Sequence, residues 1–278
     1  MRRGVAAPCF ADDPLELVEL GVAAQAAGFD GYFLWDHLNF TNDESGPSIV
    51  DPWLVLALVA ARTTTLKLGT MITPISRRRP AVLARQTTTL DLISHGRLIL
   101  GVGIGSPARG DFEMFGDQAD AALRAEMLDE GLAVLDALWG GERVDWHGKH
   151  YTVDGVRFRP RPVQRPRIPV WVGGTLPHRK PMSRAARWDG AVPITWADGR
   201  LARPSALQIG GVRDQVLAER GGVDGFDLAV WAEVATDLDA VAAELPAYRE
   251  AGATWWIETA KPEPGWLVQL QDRIRANF

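Results

Sequence analysis

Cysteine is almost absent from this sequence of 278 residues, and long apolar runs are absent altogether. The one cysteine, Cys9, excludes an internal disulfide and a zinc site built on several cysteines. No apolar run reaches the roughly 20 residues that a membrane-spanning helix requires. Acidic residues arrive at Asp12 and Asp13, ahead of any apolar segment as long as that of an export signal. We therefore expect a soluble, cytoplasmic protein with no membrane partner.

An excess of basic charge is also missing. The chain has 30 lysine and arginine residues against 35 aspartate and glutamate residues, and the two signs are interspersed. Proteins that bind nucleic acid through phosphate contacts carry a basic patch, which this distribution argues against. The content of 46% hydrophobic and 23% charged residues is typical of a globular chain with a buried core. We expect a small-molecule partner and no nucleic acid.

What the sequence does contain is a regular alternation of short apolar runs and amphipathic stretches. The apolar runs predict strands over 4–7, 32–35, 67–72, 97–102, 170–172, 191–193, 228–232 and 254–258. Helical periodicity predicts helices over 14–27, 52–61, 81–93, 124–138, 180–188, 205–220, 238–250 and 266–276. Parallel strands that are joined by helices are buried on both faces, which explains the continuous apolar runs.

Eight such units predict an α/β fold, a (β/α)₈ TIM barrel, as a single domain over residues 1–278. An open doubly wound sheet is the alternative, because the pattern alone separates the two poorly. The segment 140–169 breaks the alternation with several prolines and alternating residues. It predicts a short excursion from the barrel, made of a hairpin and an extended crossing.

The functional residues of such a barrel follow its strands, at their carboxyl ends. The residues at these positions are Phe10, Asp36, His37, Thr70 to Pro74, Gly103 to Ser106, Gly173 to Thr175, Thr195, Trp196, Glu233 and Glu258. Of the five histidines, only His37 and His178 follow a predicted strand, and no HxH or HExxH motif accompanies them. We therefore predict no metal site.

The pair Asp36-His37 directly follows the strand YFLW and is the first candidate for catalysis. A histidine at the barrel mouth can move a proton near neutral pH, and an adjacent carboxylate can set its tautomer. The alternative is a histidine that satisfies a loop carbonyl, with Asp36 capping the next segment. Residue type alone leaves both interpretations open.

The glycine-rich strand end GVGIGS, residues 101–106, suggests a phosphate site. It does not match the dinucleotide motif GxGxxG, because Ser106 stands where the last glycine would be. Exposed N–H groups in such a turn can still bind a phosphate, whereas a tight turn with positive φ needs glycine for structural reasons alone. A second turn, Gly173-Gly174-Thr175, follows the next predicted strand, so the two turns could hold one phosphate between them.

Several long, collinear segments resemble the luciferase-like monooxygenase family of flavin and deazaflavin enzymes. The longest runs from Asp51 to Gly105 and reads DPWLVLALVAARTTTLKLGTMITPISRRRPAVLARQTTTLDLISHGRLILGVGIG. The others are EMFG at 113–116, LDALWGG at 135–141, RPRPVQRPRIPVWVGG at 159–174 and AARWDG at 185–190. The resemblance is strong over about residues 1–195 and weak over the last third.

This resemblance implies a (β/α)₈ barrel whose mouth binds a flavin or deazaflavin ring, and a homodimer. It also implies a cis peptide bond between Thr70 and Met71 that presses against the ring face, and a phosphate held by the two glycine turns. The residues that it assigns to the coenzyme are Thr70, Met71, Gly103, Ile104, Gly105, Ser106, Gly173, Gly174 and Thr175.

The string Trp35-Asp36-His37-Leu38 resembles the branch of the family that uses the deazaflavin coenzyme F420. By this resemblance His37 would contact the redox centre or the substrate, and Asp36 would assist it. One position departs from the pattern. Sugar-phosphate dehydrogenases of this branch carry a proton-donating glutamate directly after the glycine turn, where this chain has Ser106.

The resemblance leaves three functions to distinguish. The first is an oxidoreductase that transfers a hydride between F420 and a small organic substrate, with His37 as the proton partner. The second is a monooxygenase that depends on reduced FMN and is supplied by a separate flavin reductase. The third is a flavin-binding protein without catalytic activity. The sequence does not identify the substrate.

Overall fold

Parallel strands that close into a barrel dominate the computed structural model, which describes residues 1–41, 44–197, 200–233 and 238–276. In chain order the strands are β1 (Arg2–Ala7), β2 (Gly31–Leu34), β3 (Lys67–Pro74), β4 (Leu98–Gly103), β5 (Arg143–His147), β6 (Thr152–Arg157), β7 (Val170–Thr175), β8 (Gly190–Ala197), β9 (Arg200–Ala202), β10 (Asp227–Glu233) and β11 (Trp255–Thr259). Eight of them pair in parallel in the order β10-β11-β1-β2-β3-β4-β7-β8, and β10 pairs with β8. This pairing closes the ring and confirms the predicted TIM barrel.

Helices connect these strands. They are α1 (Pro14–Ala26), α2 (Pro52–Arg62), α3 (Pro80–Ile93), α4 (Ala108–Asp111), α5 (Ala121–Gly140), α6 (Arg179–Ala185), α7 (Ala206–Arg220), α8 (Leu238–Glu250) and α9 (Trp266–Ala276). Single 3-10 turns lie at Ile75–Arg77 and Glu113–Phe115. None of the helices in the described ranges is both long and apolar enough to cross a lipid bilayer.

Local sequence explains where several helices begin. The Asp13 carboxylate accepts a hydrogen bond from the N–H of Leu15 at 2.9 Å, and Pro14 occupies the first helical position of α1. Asp51 and Pro52 begin α2 in the same way. Such caps satisfy N–H groups that have no partner inside the helix, and proline loses nothing at the first position because it has no N–H.

Several details differ from the predicted elements. The four-residue helix α4 was not predicted, and α5 begins at Ala121 rather than at residue 124. The short strand β9, which pairs antiparallel with the end of β8, was not predicted. Helix α6 ends at Ala185 rather than at residue 188, because the N–H groups of Arg187 and Trp188 bond three residues back and tighten the chain into a turn. The hairpin predicted within 140–169 is confirmed as the antiparallel pair β5–β6, whereas the segment 158–169 has no regular secondary structure and bends over 163–167.

Side chains fill the inside of the barrel. Its widest members are Phe33, Trp171 and Trp255, whose ring centroids lie 5.3 to 6.0 Å apart. Six smaller apolar side chains complete this interior cluster: Ala6, Met71, Ile99, Val192, Ala229 and Ile257. A filled interior leaves the carboxyl ends of the strands as the place for a ligand, as in other barrels of this kind.

The close approach of β3 and β4 generates a stability prediction. A Cβ atom at Gly69 would overlap the carbonyl oxygen of Ile99, which the strand pairing prevents from moving aside. We expect Gly69→Ala to lower the free energy of unfolding by at least about 2 kcal/mol, the range of overpacked cores. Urea unfolding followed by circular dichroism measures the change.

Gly211→Ala provides the matched control. Gly211 lies inside α7, and no atom stands within 4 Å of a Cβ added there. Alanine favours a helix by up to about 1 kcal/mol over glycine, so this variant should be as stable as the parent or more stable. Equal stability of the two variants would contradict the close approach at Gly69.

Candidate active site

His37 lies just beyond the end of β2 and contacts a carboxylate that is distant in sequence. Its Nδ1 is 2.7 Å from Oδ2 of Asp111, 74 positions along the chain at the end of α4. The other oxygen of Asp111 accepts the backbone N–H groups of Leu38 and Asn39 at 2.8 and 3.0 Å. One carboxylate therefore holds both the imidazole and the loop that carries it.

The charge of Asp111 determines the tautomer of His37. Burial by itself would raise the pKa of Asp111, but the hydrogen bond and charge of His37, the charge of Arg77 and the N–H of Leu38 bring it below its usual value. The ionised carboxylate can only accept hydrogen bonds, so Nδ1 of His37 carries a proton and donates it. Nε2 makes no hydrogen bond within the described residues. The free nitrogen of His37 can therefore exchange a proton with a ligand.

Asp36, predicted to assist His37, faces a different set of groups. Its carboxylate accepts hydrogen bonds from Thr73 at 2.7 Å, from Arg78 at 2.8 and 3.1 Å, and from the indole of Trp53 at 3.3 Å. The carboxylate that contacts the His37 ring is thus Asp111, because the Asp36 side chain turns towards the residues that follow β3. A catalytic role of Asp36 stays a prediction, and its contacts are those of a positioning residue.

Arg77 connects the two carboxylates. Its Nη2 is 2.7 Å from Oδ1 of Asp36, and its Nη1 is 2.9 Å from Oδ2 of Asp111. The side chains of Arg77, Asp36 and Asp111 are all at most 2% exposed. Burial would raise the pKa of Asp36, but the charges of Arg78 and Arg77 lower it below its usual value. Two arginines therefore balance two carboxylates in a buried network.

Aromatic rings surround His37. The centroid of the His37 ring lies 5.0 Å from Phe40, 6.0 Å from Trp35 and 6.3 Å from Phe10. Trp231, on β10, packs on Trp35 at 5.7 Å. We call Phe10, Trp35, Phe40 and Trp231 the aromatic cage. It places the free nitrogen of His37 in apolar surroundings.

Cys9 lies beneath this cage and is fully buried against Phe10 and Trp35. Burial raises the pKa of its thiol to about 12. A thiol that stays protonated is a poor nucleophile, so Cys9 belongs to the packing of the site rather than to its chemistry.

The glycine turn after β4 is shaped by an arginine that sequence reasoning missed. Arg124, on α5, donates from Nη1 to the carbonyl oxygens of Ile104 and Gly105 at 3.0 and 3.1 Å. Across a trans peptide the following N–H points the opposite way, so the N–H groups of Gly105 and Ser106 face away from Arg124. Within the described chain the amides of residues 104–106 donate to no acceptor. Gly105 has φ +79°, a conformation that glycine adopts readily.

Close packing explains why glycine is required at the other predicted positions. A Cβ atom at Gly103 or at Gly173 would collide with the end of the Ile72 side chain, which lies between β4 and β7. A Cβ at Gly174 would overlap Pro181, at the start of α6. Gly173 to Thr175 are partly exposed, so a ligand role for this turn stays a prediction.

Strand β3 bends where the resemblance placed a cis peptide bond. The cis bond joins Met71 and Ile72, one residue later than predicted. The pairing of β3 with β4 shifts between Thr70 and Thr73, and a position taken from a resemblance in sequence does not register such an irregularity. Thr70 and Met71 are buried, and Ile72 is the partly exposed residue of this segment. The predicted contacts of Thr70 and Met71 with a coenzyme therefore remain untested.

Three further strand-end candidates make no contact with His37 within the described residues. Glu258 points out of the barrel and forms a buried ion pair with Arg273 of α9 at 2.7 Å. Glu233 pairs with Lys261 at 3.3 Å, and Trp196 lies half exposed on the ribbon formed by β8 and β9. Within the described ranges, no three His, Cys, Asp or Glu side chains are grouped so that they could hold a metal ion.

Comparison with known proteins agrees with this architecture. The model of the family described as luciferase-like monooxygenase matches residues 1–203. An F420-dependent glucose-6-phosphate dehydrogenase of Microbacterium testaceum is 35% identical over 167 residues, which are 59% of this chain and 48% of that protein. The chain thus spans about half the length of the curated relatives it matches.

Solved structures share the fold over the whole chain. An F420-dependent secondary alcohol dehydrogenase, in complex with an F420–acetone adduct, superposes with a TM-score of 0.80 at 17% identity, covering 99% of this chain and 98% of that one. A monooxygenase from Streptomyces bottropensis superposes with a TM-score of 0.75 at 21% identity, covering 99% and 97%.

The buried network generates a pH prediction. The pKa of Asp36 is lowered in the folded state, so its contribution to stability is present above its unfolded pKa of about 4 and is lost as the pH falls through its folded pKa. We expect Asp36→Asn to cost about 3 kcal/mol at neutral pH, because it leaves buried arginine charge unbalanced. Its stability should also fall less steeply below pH 4 than that of the parent.

Urea unfolding at a series of pH values measures both effects. Asp224→Asn, at an exposed loop position, is the control and should follow the parent at every pH. If Asp36→Asn lost stability with acid as steeply as the parent does, Asp36 would not be a buried carboxylate held by Arg77 and Arg78.

Proposed function

The chain belongs to the luciferase-like monooxygenase family, and on this premise we propose that it is an F420-dependent oxidoreductase. It transfers a hydride between the deazaflavin coenzyme F420 and a small organic substrate. The observation that carries the proposal is His37, whose Nδ1 is held by the buried Asp111 and whose Nε2 is free at the barrel mouth. The F420-dependent enzymes among the similar proteins support the choice of coenzyme.

The turn after β4 fits the phosphate of such a coenzyme. Its amides at Ile104, Gly105 and Ser106 have no acceptor in the described chain, and Arg124 turns the carbonyl groups away from the open side. Unpaired N–H groups that face one direction form a site for an anion. The charge of Arg124, which is 4% exposed, lies directly behind this turn and favours an anion further.

The mouth also fits a flat ring. Ile72 lies between Gly103 and Gly173, and it packs on the interior cluster together with Trp231. Trp231 also packs on Trp35, which in turn contacts the ring of His37, and we propose Ile72 and Trp231 as an apolar floor for the ring of the coenzyme. A planar, mostly apolar ring would be held there by contact area rather than by charge.

The protein's own chemical task would be to move a proton. When bound, F420 accepts a hydride from an alcohol carbon or donates one to a carbonyl carbon. In the oxidation direction Nε2 of His37 accepts the hydroxyl proton, and in the reduction direction it returns a proton to the carbonyl oxygen. Asp111 stabilises the imidazolium, and Arg77 keeps Asp111 ionised and in place.

The expected homodimer and the expected flavin reductase remain proposals. We propose a homodimer in which α2 and α3 face the second copy, because Leu54, Leu58 and Val82 leave apolar side chains exposed on these helices. A separate flavin reductase would be needed only by the alternative FMN-dependent monooxygenase. The cytoplasmic location also remains a prediction.

Titration of the coenzyme-free protein tests the proposed coenzyme. We expect F420 to quench tryptophan fluorescence with micromolar saturation and FMN to bind at least about tenfold more weakly. Arg124→Met should weaken F420 binding about tenfold or more, because the carbonyl groups of the turn lose their partner. Arg275→Met, on the exposed face of α9, should leave the affinity unchanged.

Three other results of the titration would contradict the proposed function or the proposed coenzyme site. Preference for FMN would replace the proposal with the reduced-FMN monooxygenase. Binding of F420 without any change of its redox state in the presence of alcohols or ketones would favour the non-catalytic flavin-binding protein. Equal affinity of the Arg124→Met variant and the parent would remove the turn at residues 104–106 from the coenzyme site.

Steady-state kinetics test the role of His37 and its partner. We expect His37→Gln to lower kcat at least about 100-fold, the range for loss of an acid–base group. Asp111→Asn should lower kcat about tenfold or more, because an amide no longer fixes the imidazole with an N–H at Nδ1. The affinity for F420 should change less than about threefold in both variants.

His178→Gln serves as the control, because His178 is exposed at the start of α6. It should retain the kcat of the parent. Near-parental turnover of His37→Gln would make His37 a loop histidine without a catalytic role.

A further inference from the structure

We propose that the substrate of this enzyme is an uncharged, largely apolar ketone or the corresponding secondary alcohol, and that phosphorylated and acidic compounds are excluded. This inference rests on the proposed function and adds the substrate class. The evidence for it is the distribution of side chains around the barrel mouth, where aromatic and acidic residues lie on one half and the glycine turns and basic residues lie on the other.

The mouth has two unlike halves. The strand order places β10, β11, β1 and β2 side by side, and it places β3, β4, β7 and β8 side by side in the rest of the ring. The aromatic cage belongs to the first half, since Phe10 follows β1, Trp35 and Phe40 follow β2, and Trp231 lies on β10. The glycine turns belong to the second half. A substrate that reaches His37 therefore contacts the cage while a coenzyme occupies the turns.

The cage half provides an apolar wall. Phe10 and Phe40 pack at 5.1 Å, and Trp35 contacts both of them at 5.9 Å. Ile49 and Trp266 pack against the same cluster and extend it. Contacts of this kind favour apolar carbon. An ionic group that entered the cage would lose its hydration water and find no polar partner there, which costs free energy.

The basic groups nearest to the cage are already neutralised. Arg77 and Arg78 are bound to Asp36 and Asp111, and Lys261, after β11, pairs with Glu233. Four other basic residues follow β3, β4 or β7 and therefore lie on the half with the glycine turns: Arg79, Arg109, Arg179 and Lys180. A substrate phosphate beside His37 would therefore meet no unpaired cation among the described residues of the cage half.

Negative charge lies on the same half. Asp12 and Asp13 follow β1, and Glu44 follows β2. The rim of the cage thus repels an anion rather than attracting one.

The cage offers polar partners suited to one neutral oxygen. The indole nitrogens of Trp35 and Trp231 are buried and have no hydrogen-bond partner. A buried unpaired donor costs free energy, so a small movement that let either N–H reach a ligand oxygen would be favourable. Nε2 of His37 can bond the same kind of oxygen, and these neutral groups suit a carbonyl or hydroxyl oxygen better than an anion. Oxidation of the alcohol breaks its C–H and O–H bonds, sending the hydride to F420 and the proton to Nε2 of His37, and the carbon becomes a carbonyl.

Two probes of equal ring size separate charge from shape. We would compare cyclohexanone with 4-oxocyclohexanecarboxylate as oxidants of reduced F420 on the holoenzyme, with glucose 6-phosphate as a third probe in the oxidation direction. We expect kcat/KM for cyclohexanone to exceed that for the carboxylate at least about 100-fold, and we expect no turnover of glucose 6-phosphate. A preference for the carboxylate, turnover of the sugar phosphate, or failure to use cyclohexanone would overturn the substrate class.

Variants connect the preference to the cage. Phe40→Ala should raise the KM for cyclohexanone about tenfold, since one wall of the cage is lost, and leave the affinity for F420 unchanged. Phe115→Ala, at an exposed residue on the 3-10 turn after α4, is the matched control and should behave as the parent. An unchanged KM in Phe40→Ala would place the substrate outside the cage.

Binding to the coenzyme-free protein distinguishes failure of this inference from failure of the proposed function. Saturation-transfer NMR with cyclohexanone and with 4-oxocyclohexanecarboxylate requires no F420. Binding of the ketone alone would uphold the substrate class even if F420 did not bind and the proposed function were wrong. Binding of the carboxylate in preference to the ketone would overturn the substrate class whatever the coenzyme.

Discussion

One arginine between two buried carboxylates holds the candidate site together. Asp36 follows β2, Arg77 follows β3 and Asp111 ends the short helix after β4, so the bridge ties three consecutive loops of the barrel to each other. In surroundings of low dielectric constant, each charge requires its partner, and loss of any member leaves the others uncompensated. The orientation of His37 depends on this bridge, because Asp111 is held by Arg77 and in turn holds the imidazole.

The fold was predictable because its signals are local. Apolar runs, helical spacing and capping pairs such as Asp13-Pro14 each lie within a few residues, and the barrel strands were found from them. The partner of His37 was not predictable in this way. Asp36 stands next to His37 in sequence, yet its side chain serves Arg77 and Arg78, and the carboxylate that contacts the ring is 74 positions away. Successive side chains at the end of a strand point in different directions, so two residues that are neighbours in sequence need not contact each other.

The glycines show a second limit of sequence reasoning. The strings GVGIGS and VWVGGT look alike in sequence, but the structure gives their glycines different reasons. Gly103 and Gly173 leave room for Ile72, Gly174 leaves room for Pro181, and Gly105 provides a turn with positive φ. Only the last is bound from behind by an arginine, and Arg124 belongs to a helix that begins 15 residues beyond the turn. A glycine motif alone could not separate packing from ligand contact.

The burial of Cys9 makes the folded protein inert towards reagents that label thiols. Its sulfur is covered by Phe10 and Trp35, and its high pKa leaves almost none of the reactive thiolate at neutral pH. A cysteine introduced at an exposed position such as Leu207, 87% exposed on α7, would therefore be the one reactive thiol of the native chain. A fluorophore or spin label can then be attached at a single chosen point without first removing the natural cysteine from beneath the aromatic cage.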